Sequence, residues 1–223
     1  MYAASAILAA LHARKANGRG QHIDVPLYDS QVAWLANQTM NYLVGGAVPG
    51  RMGTAHPNLV PYQAFATSDG NLMVAVGNDR QFRDCMAAIG RPELGDDERF
   101  ASNEARIANR AELVAIIGAA VQGKPTASWL EVFAAKGVPA GPIKDIGEVL
   151  SGAHAQERNL VRHIDNSAGD AVPFVANPVS FGATPVSYER APPLLGEHTD
   201  EVLSEWLGYS AATIAALRKD AAI

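Results

Sequence analysis

A chain of 223 residues, 48% hydrophobic and 18% charged, has the composition of a folded globular protein and excludes a disordered one. Its formal net charge of -5 argues against general nucleic-acid binding, which needs a basic face to displace counterions. The single cysteine, Cys85, rules out an internal disulfide and makes a reducing compartment, the cytoplasm, the default expectation.

No apolar run reaches the roughly 18 residues that a membrane span requires, so no membrane partner is expected. Met1 to Leu11 is apolar and alanine-rich, but its charges Arg14, Lys15 and Arg19 follow the apolar run. A signal peptide places them ahead of it. The segment reads instead as a helix, with Tyr2, Ala6, Ala9, Ala10 and Ala13 at helical spacing and Gly18 as its C-cap. No N-cap residue precedes the pattern, so the helix looks cut in mid-element. Gln21 to Leu27 alternates like a strand, and Tyr28-Asp29-Ser30 offers an N-cap for a helix to about Leu43. Helix, glycine turn, strand and helix is α/β wiring, in which such a strand belongs to a larger sheet.

Gly45 to Pro61 holds three prolines and four glycines without periodicity and reads as a linker or lid. Two alternating runs follow, Tyr62 to Thr67 and Asn71 to Val76. Asp69-Gly70 between them predicts a type I′ hairpin turn, with Gly70 at positive φ. Asn78 or Asp79 is placed to cap a helix over Arg80 to Ile89, whose apolar face is Phe82, Cys85, Met86 and Ile89. Asp96, Asp97 and Glu98 read as a solvated helix start. Further helices are expected over Asn103 to Arg110, Ala111 to Val121, and from a Thr126 cap through Lys136. Gly137 to Pro142 forces an extended crossing, and Ile146 to Leu150 gives one more short helix.

Beyond Gly152 the pattern predicts short strands at Leu160 to Ile164 and Val172 to Val175. A proline-punctuated passage leads from Pro178 to Pro193. The last helices are Asp200 to Leu207 and Ala211 to Lys219, the second capped by Ser210. Standalone chemistry is scarce. The chain has no phosphate-binding loop, no dinucleotide fingerprint and no Gly-x-Ser-x-Gly elbow. Its histidines show no metal-ligand spacing, so no metal is expected. Asp24 reads more simply as a structural carboxylate than a catalytic one, and His198 as a contact to the helix that follows it. His56 stands out because a histidine in a Gly/Pro lid has both exposure and mobility.

Several stretches carry a resemblance, in order along the chain: the Met-Tyr helix start, GRGQHIDVPLYDS, HPNLVPYQAFATSDGNLMVAVGND, GVPAGPIKDIGEVL and APPLLGEHTDEVLSEWLGYSAATIAAL. The chain resembles the C-terminal part of the family III CoA-transferases (CaiB/BaiF type), a group that includes formyl-CoA transferase, carnitine CoA-transferase and α-methylacyl-CoA racemase. The resemblance implies an α/β fold with an α+β small domain, built into an interlocked homodimer. Residues 1–44 and 152–223 would then be parts of the large domain, 45–61 the linker and lid, and 62–151 the small domain.

It also implies a CoA-transferase reaction between an acyl-CoA and a carboxylic acid through an aspartyl anhydride, with CoA as substrate and no permanently bound cofactor. The family's aspartate would fall just upstream of Met1, so no catalytic residue is assigned here. Lid or substrate-binding candidates are Gly53, His56, Asn58 and Tyr62. The other readings that stay open are a 2-methylacyl-CoA racemase and a non-catalytic remnant or subunit. The exposed apolar faces expected of a partial large domain call for a second copy or an N-terminal segment as partner.

Overall fold

Helix α1 spans Tyr2–Asn17 and stops at Gly18, whose φ of 75° is the left-handed cap that glycine adopts at least cost. Met1 stands at its N-cap without a side-chain bond, and no residue of the helix is buried. The computed structural model describes residues 1–223, which divide into the units Met1–Ile143 and Lys144–Ile223.

Two expectations near the start are corrected. Gln21 to Leu27 forms no strand: Ile23 and Val25 are half-buried in alternation, but the segment makes no ladder hydrogen bonds. Alternation places side chains, whereas a strand also needs a neighbouring backbone. Asp24 accordingly lies exposed outside any helix or strand. The single helix expected from Ser30 to Leu43 is two, α2 (Leu27–Ala33) and α3 (Asn37–Leu43), because Ala36 turns to φ 47° and interrupts the i→i−4 ladder. Neither helix buries a residue.

The hairpin forms where expected. Strands β1 (Tyr62–Ala66) and β2 (Asn71–Ala75) pair antiparallel from Tyr62↔Ala75 to Ala66↔Asn71. This register leaves a four-residue loop, Thr67 to Gly70, closed by Thr67 N–H donating to the Gly70 carbonyl at 2.9 Å. Gly70 does not adopt a positive φ, so the type I′ expectation is corrected.

Asp69 serves another element instead. Its Oδ1 accepts from the Thr126 N–H at 2.8 Å and the Thr126 hydroxyl at 3.0 Å, capping α7 (Thr126–Ala135) from outside the helix. Thr126 is therefore the first helical residue, with Pro125 at the cap position. The Thr126 N–H is the main cause holding the Asp69 carboxyl below its ordinary range. A lowered carboxylate contributes stability that is present above its unfolded pKa and lost as pH falls through the folded one. Asp69→Ala should melt lower than wild type at neutral pH, with the difference shrinking on acidification. A pH series of melting curves checks this.

The short strand β3 (Ala140–Pro142) pairs antiparallel with β2, giving the order β1-β2-β3. Pro139 and Pro142 are tolerated because β3 is an edge strand. Against this sheet pack α4 (Asp79–Ala88), capped by the Asn78 side chain, α6 (Arg110–Val121) and α7. The core holds Phe65, Leu72, Val74, Phe82, Met86, Leu113, Ile117, Trp129 and Phe133. Asp96 to Glu98 do not start a helix. Asp97 instead accepts from Arg99, and the next helix, α5 (Asn103–Ala108), starts at a Ser102 cap.

Cys85 lies in this core, and burial pushes its thiol up to about 12. The native protein should therefore react slowly with a disulfide reagent at pH 8, and labelling should follow unfolding.

The second unit contains α8 (Ile146–Ser151), started by a capping box between Asp145 and Glu148, and α9 (Ala153–Glu157). Strands β4 (Val161–Asp165) and β5 (Ala171–Val175) pair antiparallel. Helix α10 (Thr199–Glu201) runs into a π-helical turn, Val202–Trp206. The unit ends with α11 (Ala211–Lys219), capped by Ser210. His198 precedes α10 and contacts it through Glu201, with Nδ1 3.3 Å from Oε2. No helix of the chain is long and apolar enough to cross a membrane.

Candidate active-site groove and lid

A groove of about 640 Å³ lies between α3 and the loop that follows it. Its apolar wall includes Met40, Val44, Met52 and Pro57, and its polar groups are Gln38, Asn41 and Asn58. This mixture is common in small-molecule sites, where a few amides orient a ligand within an apolar lining.

The four candidate residues separate into two groups. Asn58 lines the groove itself. Its amide exchanges hydrogen bonds with that of Asn41: Asn41 Nδ2 donates to Asn58 Oδ1 at 3.1 Å, and Asn58 Nδ2 donates to Asn41 Oδ1 at 3.2 Å. His56 and Tyr62 do not line it. Their rings stack on each other at 5.2 Å between centroids, and the His56 N–H donates to the Tyr62 carbonyl at 2.8 Å. His56 Nδ1 also accepts from the Asn58 N–H at 3.0 Å, which leaves the neutral ring's proton on Nε2. Gly53 sits one residue beyond the groove residue Met52, at φ 59° and with open space around it. A side chain there would meet nothing but would strain the backbone.

The loop is held by residues that sequence reasoning read only as helix positions. Arg106 is 1% exposed, and its guanidinium donates to the Val60 carbonyl at 2.8 Å, the Phe100 carbonyl at 2.9 Å and Asp79 Oδ1 at 2.7 Å. Its charge also lies over the Phe82 ring, 4.4 Å from the centroid. Asn103 Nδ2 donates to the Asn58 carbonyl at 2.9 Å, and Arg110 Nη2 to the Pro57 carbonyl at 2.8 Å. Burial lowers the Arg110 pKa, and its Nη1 is enclosed without a hydrogen-bond partner. The sequence signal for this set is Asn103 and Arg106 at i and i+3 on α5, with Arg110 at the start of α6.

The α+β core with an open groove beside it, lined by α3 and the loop that follows, is the scaffold this part of the chain presents. The chain belongs to CoA-transferase family III, whose profile matches residues 1–199. It is 43% identical over 205 residues to a succinate–glutarate CoA-transferase of Agrobacterium fabrum, covering 92% of this chain and 51% of that protein. It is 38% identical over 214 residues to the succinyl-CoA:glutarate CoA-transferase of Mus musculus, covering 96% of this chain and 49% of that one.

Among solved structures, a CAIB/BAIF family protein from Brucella suis superposes with a TM-score of 0.72 at 40% identity, covering 92% of this chain and 53% of that one. The mixed helical fold with a small sheet matches that family. The chain spans about half the length of the curated relatives it matches.

Proposed function

We propose that this chain forms part of a CoA-transferase that moves CoA from an acyl-CoA to a short dicarboxylic acid. Membership of CoA-transferase family III carries the reading. The activities for which its relatives are named, on succinate with glutarate and, in Acetobacter aceti, on oxalate, support the dicarboxylate.

In this reading the nucleophile is an aspartate carboxylate from the portion of the family fold that this chain does not span. It attacks the thioester carbonyl, forming a mixed anhydride and releasing CoA thiolate. The thiolate adds to the enzyme's acyl carbon, expelling the first acid as its carboxylate and leaving an enzyme–CoA thioester. The incoming carboxylate attacks that thioester, giving a second anhydride and free thiolate. Attack of the thiolate on the substrate carbonyl then yields the new acyl-CoA and regenerates the aspartate. Covalent steps of this kind replace one difficult transfer with several easier ones.

Such intermediates hydrolyse in water, so a cover is chemically required. We assign that cover to the loop bearing Gly53, His56 and Asn58, backed by Tyr62. The unburied apolar residues of α1 to α3, Leu8 and Trp34 among them at 67% and 61% exposure, support an interlocked second copy as their covering partner.

The test incubates the protein, expressed from its own gene, with succinyl-CoA and glutarate and follows glutaryl-CoA by mass spectrometry. Expected are CoA exchange and inactivation by hydroxylamine only when acyl-CoA is present. Absence of exchange with glutarate, oxalate and other short dicarboxylates would overturn the reading.

A further inference from the structure

Three side chains from two helices converge on one short piece of the lid. Asn103 and Arg106 share a face of α5 at i and i+3, and Arg110 opens α6 just past the non-helical residue Asn109. Arg110 holds the Pro57 carbonyl at 2.8 Å and Asn103 holds the Asn58 carbonyl at 2.9 Å. The first carbonyl belongs to the peptide plane before the Asn58 Cα, and the second to the plane after it. Peptide planes are rigid, so a residue whose two flanking planes are both held has its φ and ψ held as well.

The leading plane is gripped at both edges, because its N–H also donates to His56 Nδ1 at 3.0 Å. Asn103 Oδ1 accepts from the Val60 N–H at 3.3 Å, and Arg106 Nε donates to the Val60 carbonyl at 2.8 Å, which anchors the chain two residues further on. Asn58 is thus the one groove-lining lid residue whose backbone is clamped from both sides. Its side chain faces the groove, where its amide is satisfied only by Asn41.

Arg110 completes the picture. Its second terminal nitrogen is enclosed with no partner, and a buried unpaired donor costs stability. The guanidinium thus commits one terminal nitrogen to the Pro57 carbonyl and leaves the other unpaired.

Taking the transferase reading as its basis, we propose that Asn103 and Arg110 are positioning residues that aim the Asn58 carboxamide into the groove. There it exchanges its Asn41 partner for an oxygen of the bound acid or thioester. In the exchange Asn58 Nδ2 donates to the substrate oxygen in place of Asn41 Oδ1, and the reciprocal bond from Asn41 Nδ2 to Asn58 Oδ1 is given up.

Protein expressed from its own gene is compared as wild type, Asn58→Ala, Asn103→Ala, Arg110→Met, Arg110→Lys and the Asn58→Ala/Arg110→Met double variant. The readouts are kcat, KM, melting temperature and hydrogen exchange of the peptide covering His56–Tyr62. Arg110→Met and Asn103→Ala should each lower kcat/KM on the order of tenfold, the scale set by small misplacements of a substrate-orienting group. Exchange of the loop should quicken while the melting temperature stays near wild type.

Asn58→Ala should show a similar loss, and the double variant should be no worse than Asn58→Ala alone, because both changes remove one function. Arg110→Lys, which can still reach a single carbonyl, should recover most of the activity. Additive losses in the double variant, or an unimpaired Asn58→Ala, would overturn the proposal. Should wild type fail to transfer CoA, the transferase reading falls. Unchanged loop exchange in Arg110→Met and Asn103→Ala would then refute the clamp separately, and faster exchange would uphold it.

Discussion

Arg106→Ala should destabilise the first unit by roughly 3 to 5 kcal/mol, the range found when one partner of a buried charged network is removed. The guanidinium is 1% exposed and has three separate acceptors in the Val60 and Phe100 carbonyls and Asp79. Two of these are buried main-chain oxygens that no other side chain reaches. Each then bears the full penalty of an unsatisfied group, about 1 to 3 kcal/mol. Asp79 loses less, since it is half-exposed and can turn to water. Arg106→Met should recover the packing volume but not the carbonyl bonds, and so should fall between Ala and wild type. Urea denaturation followed by circular dichroism separates the three proteins.

The second large effect belongs to Phe82. The ring is fully buried on α4 and forms the floor beneath the Arg106 guanidinium. Phe82→Ala removes a ring's worth of apolar burial and leaves a cavity, at roughly 3 to 5 kcal/mol. It also removes the ring face that stabilises the charge. Phe82 and Arg106 touch, so the double variant should lose less than the sum of the two single losses, as contacting residues do. A strictly additive result would mean that the guanidinium and the ring act independently.

Features written into neighbouring residues were legible before the structure. The Gly18 stop, the Asn78 and Ser210 caps and the Phe82, Cys85 and Met86 face each depend on residues within a few positions. The hairpin was legible as two alternating runs, but its loop was not. Asp69-Gly70 has the composition of a type I′ turn, yet the Asp69 carboxylate is drawn to Thr126, 57 residues away, and a longer loop accommodates that bond. Gln21 to Leu27 shows the opposite case, because its alternation survives without a ladder.

At the site, the Gly/Pro-rich stretch with His56 was legible as a segment without helix or strand, and the structure sets part of it along a groove. The residues that hold it were hidden, since Asn41, Asn103 and Arg110 meet it across 17, 45 and 53 positions. Polar side chains on helices read as solvated until the tertiary fold shows otherwise.

The distribution of tryptophan gives the molecule its own optical probes. Of its three indoles, Trp129 is sealed in the first core at 3% exposure, while Trp34 and Trp206 stand 61% and 77% open to water. Native emission should therefore be red-shifted and readily quenched by acrylamide, with a protected fraction that belongs to Trp129. Any molecule or second copy that covers the apolar surface of either unit should move that emission to the blue. Single Trp→Phe replacements of Trp34 and Trp206 would tell which of the two units has been covered.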